Sequence, residues 1–294
     1  MNDSPLMRLT AKTLLCVAAL AMGACGHSTA AESAPGAGSD STARGTTAEK
    51  AAAPQSDVPQ GAAILLRCYP DHVKAYRDGK LVMADGSTIT YDDGRDKTFI
   101  EKLDDADPED MFAFDYDMTT WTPGYLQDAG RSRCEALFKK MYGSSAAAVQ
   151  KHLVTVNWFG QKLRFTSVNG AADSLRAVAA ELARHPSLKK HLRSSGTFYW
   201  RQVRGAKRLS AHSYGMTIDI GVTGGGGGGD YWQWKNPGKG ETARITYSNH
   251  MPHEVVEIFE RHGFIWGGRW YHYDTMHFEF RPEILLNEQL KQTK

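Results

Sequence analysis

Apolar positions in this chain recur with period two in several short runs and with a period near 3.6 in a few longer ones. Leu153-Val-Thr-Val-Asn-Trp158 and Lys162-Leu-Arg-Phe-Thr-Ser-Val168 are rich in β-branched and aromatic residues and flank a short Gly-containing turn, which predicts a hairpin. Ala171 to Arg184 carries Leu175, Val178 and Leu182 at helical spacing with Pro186 just beyond, and Pro252 to His262 has an apolar stripe of Val255, Val256, Ile258 and Phe259 before Gly263. Both stretches predict amphipathic helices. Met216 to Ile220 and Met276 to Phe280 alternate like short strands. Further upstream, Tyr76 to Tyr91 contains two Asp-Gly turn signals between β-rich runs, predicting a hairpin or meander, and Arg131 to Tyr142 reads as a short helix. Strands and helices in this order predict an α+β fold, an antiparallel sheet flanked by helices.

The N-terminus follows a different rule. Arg8 and Lys12 precede an uncharged apolar run, Thr13 to Ala24, too short to span a bilayer, which is the pattern of a signal peptide. The run ends Ala21-Met-Gly-Ala-Cys25, similar to a bacterial lipoprotein cleavage site with Cys25 as the lipidated residue; ordinary cleavage after Ala24, or within Ser28-Thr-Ala30-Ala31, is the rival. Gly26 to about Val58 is Ala, Ser, Gly, Thr and Pro with almost no large apolar residue, so it reads as a disordered tether, and folded sequence begins near Gln60.

Charge and cysteine content narrow the partners. A net charge of +2 and the lack of a basic helix or arm argue against nucleic acid. Asp92 to Asp117 holds eleven acids against three bases while Arg184 to Arg208 is basic, two faces able to attract one another. Of four cysteines, Cys68 and Cys134 lie in the folded part. In an oxidising compartment those two most simply pair, a bridge worth roughly 4 kcal/mol in the chain-entropy model.

The chemistry concentrates in two segments, Ser210-Ala-His212-Ser-Tyr-Gly215-Met-Thr-Ile-Asp219 and Trp266-Gly-Gly-Arg-Trp270-Tyr-His-Tyr-Asp274-Thr-Met-His277-Phe-Glu279. Two imidazoles and one carboxylate, His212, Asp219 and His277, supply three zinc ligands and leave a fourth position for water, which predicts a catalytic site with one Zn2+ per chain. Asp274 is a carboxylate placed to take a proton from that water. Strand parity alone puts Glu279 on the face of His277, so either acid could be the base. Other divalent metals would also suit this donor set.

These motifs resemble the zinc D-Ala-D-Ala carboxypeptidase and L-alanyl-D-glutamate endopeptidase family, over about Gly196 to Glu283 and more weakly back to Val154. The resemblance implies the hedgehog/D-Ala-D-Ala peptidase fold, hydrolysis of peptidoglycan stem peptides in the bacterial envelope, His212, Asp219 and His277 as zinc ligands, and Asp274 as general base. It also implies that Glu279 orients a ligand imidazole, or forms a structural ion pair, and that Arg201 takes part in catalysis. Arg208, Ser210 and Trp270 are candidates for binding substrate. An inactive zinc-binding or wall-binding lipoprotein is the alternative.

The expected organisation is a signal peptide (1–24), tether (25–58), N-terminal extension (59–150), peptidase domain (151–288) and tail (289–294). The extension is read as packed on the peptidase core, since no flexible linker falls near residue 150; a small glycan-holding domain is the other reading. The six glycines Gly224 to Gly229, followed by Asp230-Tyr-Trp-Gln-Trp234, match no phosphate loop and read as a mobile rim loop. The protein is expected to be exported and monomeric, with peptidoglycan peptides as partner and a membrane tether through Cys25.

Overall fold

The computed structural model describes residues 58–221 and 230–293. The signal segment, Cys25, the tether and the six-glycine run lie outside those residues. Mixed helices and antiparallel sheets make the described part an α+β structure.

The first half builds small pieces. Helix α1 (Gln60–Cys68) leads into a meander of β1 (Val73–Arg77), β2 (Lys80–Met83) and β3 (Thr88–Thr90), turned at the two Asp-Gly signals. Helix α2 (Phe99–Asp104) starts with a capping box, in which Thr98 and Glu101 satisfy each other's backbone N–H groups. Helices α3 (Glu135–Tyr142) and α4 (Ala146–Gln150) follow, so the first of these starts four residues later than its predicted bound. The predicted hairpin is β4 (Leu153–Trp158) with β5 (Gln161–Thr166), and the predicted helix is α5 (Ala171–Leu182), with Pro186 opening a separate 3-10 turn.

The central sheet has the order β6 (Ser194–Gly196), β7 (Thr217–Ile220), β9 (His277–Phe280), β8 (Phe264–Trp266), all antiparallel. A short α6 (Trp232–Lys235) and then α7 (His253–Arg261) lie between β7 and β8, and α8 (Pro282–Gln292) follows β9. Period-two alternation gives this sheet two chemically different faces. Ile218, Ile220, Phe278 and Phe280 share one face, where Phe259 of α7 stacks on Phe278 at 3.9 Å between ring centres. Thr217, Asp219, His277 and Glu279 share the other, and register pairs Asp219 with His277 and Thr217 with Glu279.

One continuous apolar core runs from Ala62, Leu65 and Tyr69 of the N-terminal region to Val255, Phe259 and Phe278. Two expectations need correction. Residues 289–292 form the last turn of α8 rather than a tail. Cys68 and Cys134 are free thiols. Their charged neighbours differ, Glu283 and Arg67 for Cys68, and Asp107 and Lys97 for Cys134. Burial pushes the two thiols up to about 12 and about 11, which keeps them protonated. Among the described residues no helix is long and apolar enough to cross a membrane.

Candidate metal centre

His212, Asp219 and His277 come together on the polar face of the central sheet, each offering a ligand atom within 4.8 Å of the others. Asp219 and His277 are cross-strand partners on β7 and β9. His212 is delivered by a 3-10 turn, Ala211–Tyr214, that Gly215 ends at φ 67°. A side chain at Gly215 would be strained by that φ and would meet Leu153 Cδ2 at 2.5 Å. Ser213 braces the turn: its hydroxyl accepts from the Arg201 N–H at 3.0 Å and donates to the Arg201 carbonyl at 2.9 Å.

Each imidazole is oriented by a partner on its far nitrogen. His212 Nδ1 lies 2.7 Å from the Thr197 carbonyl, so that nitrogen carries the proton and Nε2 faces Asp219 Oδ2 at 3.1 Å. His277 is turned the other way, with Nδ1 3.1 Å from Asp219 Oδ1 and Nε2 3.4 Å from Glu279 Oε2. The two free nitrogens converge on one carboxylate. Burial opposes ionisation of Asp219, but His212 and His277 hold its carboxyl well below the usual carboxylate range. Two nitrogens and an oxygen donor at this spacing fit a tetrahedral zinc site with an open position.

Asp274 lies beside the triad in the same cleft. Its Oδ1 is buried with no hydrogen-bond partner among the described residues. Burial, and then the charge of Asp219, push this carboxyl up to about 6. Such an orphaned acid is costly unless a cation or a substrate proton meets it. Gly267 supports the placement, because its Cα approaches the Asp274 backbone so closely that a Cβ would sit 2.5 Å from the carbonyl oxygen.

The cleft over these residues has a volume of about 1040 Å³. Ser210, Arg201 and Arg208 line it, as does the exposed Trp234. Arg201 is on the rim, its guanidinium donating, among the described residues, to the Gln202 carbonyl, whereas Arg208 is buried and ion-paired with Asp104. That pair joins the acidic and basic stretches noted in the sequence. Trp270 is not on the cleft surface: it packs in a second apolar cluster with its ring 5.4 Å from that of His277. Glu279 is fully buried and reaches His277, Arg133 and Arg281, which leaves it no open side from which to act as base.

Sequence reasoning missed the contribution of the N-terminal region. Arg131 and Arg133 line the cleft, and Asp128 holds the buried His272, a further lining residue, at 2.6 Å. No local signal marks these residues, because His272 lies in a bend between β8 and β9 and its partner Asp128 is 144 positions upstream. Two other acid groups, Asp92-Asp93-Asp107 and Asp107-Glu109-Asp110, also have metal-like spacing. Lys97 already fills that role, its ammonium lying 2.9, 3.0 and 2.6 Å from Asp93, Asp107 and Asp110.

Residues 204–280 match the model of a family described as D-alanyl-D-alanine carboxypeptidase. That span contains His212, Asp219, Asp274 and His277 and supports a peptidase. No curated protein and no solved structure matches the chain.

Proposed function

We propose that the protein is a zinc peptidase that hydrolyses D-Ala-D-Ala-bearing peptidoglycan stem peptides. The observation that carries the reading is the convergence of His212, Asp219 and His277 at the floor of a cleft, with Asp274, whose shielded Oδ1 has no partner among the described residues, beside them, inside the span that matches a carboxypeptidase family. The hedgehog/D-Ala-D-Ala peptidase arrangement belongs to this proposal.

His212 through Nε2, Asp219 through its carboxylate and His277 through Nδ1 would hold the ion. A zinc ion there supplies Lewis acidity, which brings the pKa of water to about 7 and polarises a scissile carbonyl. Asp274 takes the proton from the attacking water and returns it to the leaving amine. Its raised proton affinity in a buried setting matches an acid that works near neutral pH. Arg208 is pre-oriented by Asp104 and Arg201 stands free at the rim, so a terminal carboxylate of the substrate can meet a guanidinium fork on either. Ser210 lines the same stretch of wall. Export and a lipid at Cys25 are the cellular setting that the N-terminal sequence favours, with the monomer as the working unit.

The test is incubation of the purified chain with defined stem peptides, with and without chelator, read by mass spectrometry. Loss of one alanine from a pentapeptide marks a carboxypeptidase and internal fragments mark an endopeptidase. Stoichiometric zinc without cleavage of any stem would reject the enzyme reading in favour of a binding protein.

A further inference from the structure

The N-terminal region pairs with residues in or behind the cleft of the matched span at these points: Asp104 with the lining Arg208, Asp128 with the lining His272, and Arg133 with the buried Glu279. The third leads to the metal centre. Arg133 is only 9% exposed and touches both segments that carry metal-binding residues. Its Nη2 donates to the Leu209 carbonyl at 3.4 Å, three residues before His212, and its Nη1 lies 3.4 Å from Glu279 Oε2, two residues after His277. Glu135 grips the same Leu209 from the other side, accepting its N–H at 2.9 Å. Nη1 is further fixed by the Gly130 carbonyl at 2.9 Å.

Glu279 needs this partner. Its side chain is fully buried, and its Oε2 is the atom that faces His277 Nε2 at 3.4 Å. Arg281 serves the other oxygen, Oε1, at 2.9 Å, and is itself shared with Glu283, which also accepts from Tyr69. Two carboxylates, Glu279 and Glu283, thus face two guanidiniums, Arg133 and Arg281.

We infer that Arg133, supplied from outside the matched span, is a positioning residue of the metal centre: it holds the Glu279 carboxylate against His277 Nε2–H and thereby fixes the ring whose Nδ1 meets the metal. The N-terminal region is then part of the active site and not a separate wall-binding module. This inference rests on the metallopeptidase reading, but its readout is metal affinity. Partners of this kind are typically worth 10- to 100-fold in metal binding, because they set the tautomer and the angle of the ligand.

The experiment measures the zinc dissociation constant of the whole chain by competition with a chromophoric chelator, beside the melting temperature of the metal-free protein, for the parent, Arg133→Met, Arg133→Lys, Glu279→Gln and Arg133→Met/Glu279→Gln. Arg133→Met is expected to weaken zinc at least tenfold while the metal-free protein stays folded, and Arg133→Lys to restore part of that loss. The double variant is expected to be no weaker than the worse single one, since both act on one contact. Zinc affinity within twofold of the parent in a folded Arg133→Met overturns the inference, and so do fully additive losses. If Arg133→Met does not fold, Glu279→Gln decides alone, and parental affinity there overturns it equally. A parent that binds no zinc fails the metallopeptidase reading instead.

Discussion

Replacing Asp274 by Asn gives opposite results in the metal-free and zinc-loaded protein, and the structure sets the size of both. In the metal-free protein the acid is shielded at Oδ1, unpartnered, and near the Asp219 charge, which together move its carboxyl from 3.8 to about 6. A raised carboxyl means that the folded state binds the proton more tightly than the unfolded chain does, so stability falls as pH rises through that window. At 1.36 kcal/mol per pH unit, the ionised acid destabilises the metal-free fold by at most about 3 kcal/mol above pH 6, and by nothing below pH 4. Asp274→Asn removes that penalty while keeping the shape. The chelated variant should therefore melt about 6–12 °C above the chelated parent at pH 8, with the gap closing toward pH 4. In the zinc-loaded protein the same change should lower kcat by 10²- to 10⁴-fold, the worth of a general base, with zinc affinity reduced far less. Differential scanning calorimetry over a pH series and peptide cleavage on the same samples read both halves. Equal melting temperatures at pH 8 would refute the buried-charge argument, and a kcat within tenfold of the parent would refute the assignment of the base.

The remaining expectations are independent of that acid. Chelation should abolish peptide cleavage and zinc should restore it; free zinc at 1,000 times its dissociation constant should raise unfolding free energy by about 4 kcal/mol, measured by urea titration. Phe259→Ala, which empties a site stacked on Phe278 and edge-on to Phe264, should destabilise by about 3–5 kcal/mol by the same titration without changing the cleft. The protein isolated under non-reducing conditions should show Cys68 and Cys134 unlinked by peptide mapping, with alkylation at pH 8 slow until denaturant is added, because burial holds both thiols far above that pH. Asp104→Asn should raise KM several-fold with kcat little changed, since it frees Arg208 from its fixed orientation; an unchanged KM would remove Arg208 from substrate binding.

The elements best read from sequence were those whose signal is local. The hairpin of β4 and β5 and the helices α5 and α7 follow from residue spacing and from Gly or Pro at their ends, and each appears within a few residues of its expected bounds. The same locality made the metal residues legible, since Asp219 and His277 each lie on a strand that alternates toward one face. The proposed base was not legible from alternation: parity with His277 favoured Glu279 and only the resemblance favoured Asp274, whereas in the structure Glu279 is enclosed between two arginines and Asp274 lines the cleft. The cysteines failed for a related reason. Composition and export argued for a bridge, but whether two side chains meet depends on how α1 and α3 pack, and they bring the thiols to different neighbours.

By itself the sequence determined the α+β class, the β4–β5 hairpin, the two strands that carry Asp219 and His277, helices α5 and α7, and the donor types that any metal here would meet, because propensity, period and ligand chemistry are properties of residues and their near neighbours. Only the tertiary structure decided which nitrogen of each imidazole is free, which acid keeps a shielded oxygen without a partner, and that Arg133 lines the cleft while Asp104 and Asp128 hold the cleft residues Arg208 and His272 from far upstream. The upstream contacts join residues 76 to 146 positions apart, and no periodicity in the chain encodes them.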